Sequence, residues 1–241
     1  MNTLIVIALT ILVIVLLHKQ IKQHPYVFYG LACAMFVAFV LGQLFYLPKA
    51  VNVFFMTPMR RATIAMGIFF VVMYAGLFTK PSRAKRLLKP MRKELSIIAG
   101  ILAFAHVYAY NFNYFTRIFV DKLNPLISFK LALFTGVILT ILLILLWLTS
   151  FNFIKRKMTR QRWKAIQKWS YLFYALIFVH VLAILMQPAL SGGREAQITI
   201  ALYSLIFIIY FVARIAVYKR DKREHIEEDD AYAKDLEKGF I

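Results

Sequence analysis

His106 and His180 each lie well inside a long uncharged run, whereas His18, His24 and His225 sit at the ends of such runs or in the charged tail. Ionisable side chains buried in apolar segments are costly and are functional candidates for that reason. His106 follows Glu94 by 12 residues and His180 follows Lys168 by 12. At 1.5 Å per residue, both imidazoles stand about 18 Å along their helices. If the two helices run parallel, the rings share one depth. Three chemistries use such a pair: hydrogen bonding between neighbouring helices, proton relay, or bis-imidazole ligation of one metal from opposite sides of a flat porphyrin. Spacing alone leaves all three open.

The elements that must carry these rings are membrane helices. Hydrophobic residues make up 61% of the 241 positions and charged residues only 17%, against about a quarter charged in soluble domains. Apolar runs of span length at 3–17, 26–47, 62–78, 95–112, 127–150, 169–187 and 198–217 predict about seven crossings. Period-two alternation, the mark of a membrane barrel, is absent. The apolar start reads as a short first span and not as a signal peptide, because no basic leader precedes it and His18-Lys19-Gln20 follows. The expected fold is an all-α polytopic bundle. Its parts are an extra N-terminal span and loop (1–25), a transmembrane core (26–218) and a charged tail (219–241). The sole cysteine, Cys33, rules out an internal disulfide, an all-Cys cluster and covalent c-type haem attachment.

The net charge of +19 is a matter of topology and not of nucleic acid. The 79–94 and 151–168 loops each hold seven Lys or Arg, and Lys219, Arg220, Lys222 and Arg223 follow the last run. The positive-inside rule then puts the N-terminus outside and the C-terminus in the cytoplasm, with Arg60 and Arg61 on the less favoured outer side. The tail, basic from Lys219 to Arg223 and acidic from Glu227 to Asp230, is expected to be solvated; Ile226, Tyr232, Leu236 and Phe240 are too loosely spaced for a clear amphipathic helix. No GxGxxG or Walker motif occurs, so a reductant would have to be another molecule.

Several stretches carry a family likeness. Met91-Arg92-Lys93-Glu94-Leu95 with "SIIAGILAFAHVYAY", then "NPLISFKLALFTG", then "LLWLTSFNFIKRKMTRQRWKAIQKWSYLFYALIFVHV" resemble the ferric reductase-like transmembrane domain family. Within it, the nearest likeness is to the haem-binding membrane subunits that partner periplasmic methionine sulfoxide reductases. The likeness spans roughly Arg60 to Gln187 and rests on the ordered set Thr149-Ser150, Trp163, Tyr171 and His180.

The resemblance implies a six-helix core holding b-type haem, with electrons crossing the membrane, and His106 and His180 as the axial ligands. Two-haem relatives carry further histidines where this chain has Arg92 and Gln167, so one haem is expected. A flavin (FMN or FAD) or quinone head group would take the inner position, with Arg92 on a phosphate or carbonyl and Trp163 or Trp169 stacked on a ring. An interfacial Trp belt with positive-inside charge is the plainer explanation of those residues.

Arg117, Lys122, Lys130 and Arg194 are candidate propionate partners, and Tyr108, Tyr110 and Tyr114 candidate propionate or electron-path residues. The implied function is the membrane subunit of an oxidoreductase in a bacterial cytoplasmic membrane. It would take electrons from a cytoplasmic reductase, flavin or quinone pool and deliver them to an extracytoplasmic redox partner, flavoprotein or ferric iron. A proton-coupled transporter titrating the same histidines is the competing expectation.

Overall fold

The computed structural model describes residues 3–120 and 127–237, with side chains over 3–110 and 130–223. It is helical throughout, with no strand among the described residues. Helix α1 (Thr3–Leu16) and the short α2 (His18–Gln23) lead to α3 (Pro25–Gly42). The stretch α4 (Lys49–Val51), a π-helical turn (Asn52–Met56) and α5 (Thr57–Arg60) run into α6 (Thr63–Ala75). After α7 (Arg83–Leu88) and a 3₁₀ turn (Lys89–Met91) come α8 (Arg92–Val120) and α9 (Ile127–Leu148). The short α10 (Asn152–Lys155) precedes α11 (Arg160–Leu190) and α12 (Arg194–Glu237).

Four helices are long and apolar enough to cross a membrane: Pro25–Gly42, Lys130–Leu148, Arg160–Leu190 and Arg194–Arg223. A bent pair, Lys49–Arg60 with Thr63–Ala75, makes a fifth. The chain is a multi-pass membrane protein. Two of the seven expected spans, α1 and α8, are not among these. α1 has 14 residues, about 21 Å of helix against a hydrocarbon core of about 30 Å. α8 has 29 residues, long enough to cross, and its uncharged stretch from Leu95 runs on into residues whose side chains lie outside the described ones.

α8 packs along α3 and α6, α11 along α9 and α12, and α1 on α6. Small residues set these approaches, as they do in lipid, where close contact replaces hydrophobic drive. A Cβ on Gly67 of α6 would stand 3.0 Å from the Thr10 side chain of α1. At Gly100 of α8 it would meet the Trp147 ring of α9 at 2.1 Å, and Trp147 Nε1 donates to Ile97 O across the same crossing at 3.0 Å. An aromatic core of Phe70, Tyr174, Tyr203 and Phe207 joins α6, α11 and α12.

Two local findings differ from the sequence expectation. Arg60 and Arg61 are not in a simple loop; they stand at the break of the bent pair, where the axis turns by 46°. The charged tail, whose spacing gave no clear amphipathic helix, is helical as well, since α12 continues to Glu237. No Gly or Pro interrupts it, and oppositely charged residues at helical spacing, such as Arg223 and Glu227, favour its extension. The tail side chains from Glu224 onward, including His225, Ile226, Tyr232, Leu236 and Phe240, lie outside the described residues. The turn between α11 and α12 uses Gly192 at φ +85°, the left-handed geometry that ends helices at glycine.

Ala62 adopts φ 52°, a left-handed conformation that costs a non-glycine residue about 1–2 kcal/mol. Ala62→Gly is expected to keep the bend and stabilise the protein by about 1 kcal/mol, raising the thermal unfolding midpoint by roughly 2–4 °C. A drop of that size would show that the left-handed turn is not what the break requires.

Candidate functional site

The break at Ala62 has a direct chemical result. In an uninterrupted helix the Arg60 carbonyl would accept from the amide four residues on; here α5 ends at Arg60, leaving that acceptor without a helical partner. His106 of α8 fills it, donating from Nδ1 to Arg60 O at 2.8 Å. The Arg60 guanidinium in turn donates to Gln43 Oε1 at 3.2 Å, tying the break to the end of α3.

His180 of α11 is held by α9 in a matching way. Its Nδ1 donates to Ala132 O at 2.9 Å, with Thr135 Oγ1 3.1 Å from the same nitrogen. Gly136 makes room for the ring: a Cβ there would stand 3.3 Å from His180 Cε1, tight enough to force the imidazole to shift. A carbonyl partner fixes each Nδ1 as the protonated nitrogen and leaves Nε2 with the lone pair, the form an imidazole needs to bind a metal.

The two rings meet with centroids 6.1 Å apart and planes crossed at 84°. Two imidazoles bonded to one metal, each at about 2.0–2.1 Å, hold their centroids roughly 6 Å apart. The helices behind them, α8 and α11, are not a closely packed pair among the described residues. The two rings thus come together, nearly perpendicular, between helices that otherwise make little direct contact. No group of three or more His, Cys, Asp or Glu that could hold a bare ion occurs among the described residues. A pair of crossed imidazoles suits a metal whose remaining ligands come from a macrocycle.

The inner candidates divide into two sets. Gln167 Nε2 donates to Thr149 Oγ1 at 3.0 Å and Trp163 Nε1 donates to Thr149 O at 3.0 Å. Lys155 Nζ stands 4.3 Å over the Trp163 ring. These contacts staple the start of α11 to the end of α9. Arg92 lies elsewhere. Its guanidinium comes within 3.7 Å of a Cβ built on Gly76, at the end of α6, and it is in electrostatic reach of Tyr171, Tyr210 and Arg214. Arg92 Nε and the Tyr174 hydroxyl are buried without a hydrogen-bond partner. Trp169 is half exposed (51%), as an interfacial tryptophan would be.

Among the outer candidates, Tyr110 packs its ring 4.9 Å from that of His106, while Tyr108 is exposed at 42%. Lys130 and Arg194 are exposed on the surface. Lys122 and the side chains of Tyr114 and Arg117 lie outside the described residues. The reading of the sequence missed the Arg60 and Ala132 carbonyls, Thr135 and Gly136. A ligating histidine needs a partner for its second nitrogen, and the Thr135-Gly136 pair in "FKLALFTG" was the available signal.

The comparisons bear on this arrangement. The chain is 34% identical over 203 residues to an uncharacterized protein of Treponema pallidum (strain Nichols), covering 83% of this chain and 56% of that protein. The chain thus spans little more than half the length of that relative. No solved structure matches. The family model described as the ferric reductase like transmembrane component matches residues 62–178. The match opens at the strained Ala62, contains His106 and stops two residues before His180. The segment 62–178 therefore belongs to the ferric reductase-like transmembrane family.

Proposed function

We propose that the protein is a transmembrane electron-transfer subunit. In this reading electrons pass from a cytoplasmic-side donor (flavin, reductase or quinol) through one b-type haem to an extracytoplasmic acceptor. The observation that carries it is the pair of crossed imidazoles, 6.1 Å between centroids, each with Nδ1 held by a backbone carbonyl. His106 and His180 would be the axial ligands. When bound, the haem supplies a one-electron carrier in an apolar setting. The protein's part is to keep both Nε2 lone pairs aimed into one cleft, to fix the rings at their crossed angle and to exclude water. His106 and His180 hold their protons at Nδ1 in this arrangement, and no side chain has to act as a nucleophile or a general base.

The four long helices, the bent pair, α8 and α1 add up to seven crossings, and the basic loops favour an outside N-terminus in a bacterial cytoplasmic membrane. On the inner side, the unpartnered Arg92 Nε and Tyr174 hydroxyl favour entry of a flavin or quinone head group near Arg92 and Arg214. The contacts of Trp163 and Gln167 with Thr149 favour a structural role for those two. The acceptor class, a sulfoxide reductase, a flavoprotein or ferric iron, follows from the family likeness.

Reduced-minus-oxidised absorption spectra with haem stoichiometry test the reading. Wild type expressed with ample haem supply should carry about one low-spin haem per chain. His106→Ala or His180→Ala should lose it or turn it high-spin. A colourless wild type would contradict the proposal and leave the histidines as titrating groups of a transporter.

The structural reading of Gln167 has its own test. Thr149→Val and Gln167→Leu should each destabilise the protein in detergent, Thr149→Val by about 1–3 kcal/mol because it orphans the amide. The double variant should fall well short of the sum of the two. Additive losses, or a changed rate of reduction by quinol with unchanged stability, would instead make Gln167 part of the donor site.

A further inference from the structure

The N-terminal helices build a second site, away from the two histidines, with one wall before the family-matched segment and one inside it. α2 packs against the 3₁₀ turn before α8, and a cavity of about 330 Å³ lies between α2 and α7. His18, Lys19 and Lys22 line it from one side of the sequence, and Arg83 and Arg86 from the other. Leu87 and Met91 are its apolar members, and no carboxylate lines it. Four permanent cations from two segments thus share one solvent-facing space, a concentration of one sign of charge that attracts anions.

The position of the cavity indicates where that anion comes from. It opens directly beyond the apolar α1, whose Leu12, Val13 and Leu16 are exposed at 51%, 49% and 65%. Those side chains offer an acyl-chain track that ends at the cations. A volume near 330 Å³ falls in the range of small-ligand sites, and basic pockets at the ends of membrane helices suit anionic head groups. We propose that this pocket binds the phosphate head group of an anionic phospholipid, with an acyl chain laid along α1. The lipid ties the N-terminal helix pair to the connection between α6 and α8.

The test is binding of phosphatidylglycerol to the full-length protein in detergent, followed by native mass spectrometry and by thermal unfolding. Phosphatidylglycerol should bind and stabilise wild type, while phosphatidylcholine should not. Lys19→Gln/Lys22→Gln and Arg83→Gln/Arg86→Gln each remove one wall, and each should weaken binding more than about tenfold, since every basic group near an anionic lipid contributes on the order of 1 kcal/mol. The equally charged change Lys157→Gln/Lys164→Gln, with Lys157 between α10 and α11 and Lys164 near the start of α11, should leave it intact. Equal weakening by all three variants would reduce the effect to net charge and overturn the proposal. So would equal stabilisation of wild type by the two lipids, a comparison that needs no variant to fold. Stabilisation by inorganic phosphate but not by phosphatidylglycerol would assign the pocket to a soluble phosphate and overturn the lipid reading.

Discussion

A backbone carbonyl inside an apolar bundle must find a donor, and the site depends on where this chain leaves two carbonyls available to histidines. At the break between α5 and α6 the Arg60 carbonyl has no helical amide to accept from, and the His106 ring supplies one. In α9 the Ala132 carbonyl accepts from His180 as well as from within its own helix. Because a buried acceptor left unmade costs on the order of 1–3 kcal/mol, these bonds fix tautomer and orientation together. The strained φ of Ala62 is the conformational cost of exposing the first carbonyl. Strain of this kind persists where surrounding structure holds it.

Close contacts between helices hold the elements that carry those two carbonyls. Gly100 brings α8 onto Trp147 of α9, Gly136 admits the His180 ring, and Gly67 lets α1 settle on α6. The aromatic cluster around Tyr174 and Phe207 anchors α11 to α12, and the Thr149 staple fixes the other end of α11 to α9. The result is a pair of rings that meet between α8 and α11, two helices that are packed mainly against other partners. Since the family match covers residues 62–178, α1 to α3 lie outside it. Even so they contribute Gln43, which holds the Arg60 side chain, and the pocket at α2.

Much of this was legible in the sequence, and the exceptions have physical causes. The matched depth of His106 and His180 followed from a constant helical rise, and the rings do meet. The apolar runs marked the helices; the number that cross is a finer matter, because hydropathy does not separate a short packed helix such as α1 from a crossing one. Arg60 and Arg61 looked like loop charges; nothing local marks a left-handed alanine, which depends on tertiary support. Arg92, Gln167 and Trp163 were grouped through the family resemblance, at the cytoplasmic ends of their spans. Side-chain direction separates them, and that depends on helix rotation, which spacing does not specify. The tail was expected to be solvated and without a clear amphipathic helix, and the absence of Gly and Pro from Arg194 to Glu237 allows α12 to continue through it.

The central claim is that the fold holds two imidazoles crosswise on one iron, and electron paramagnetic resonance of the oxidised protein in its own membranes tests it most directly. Imidazole planes crossed near 84° predict a highly anisotropic low-spin ferric signal dominated by one low-field feature. A rhombic low-spin signal would mean nearly parallel rings and a different packing of α8 against α11. A high-spin signal would mean that one histidine is not a ligand, and the absence of any haem signal would contradict the account as a whole.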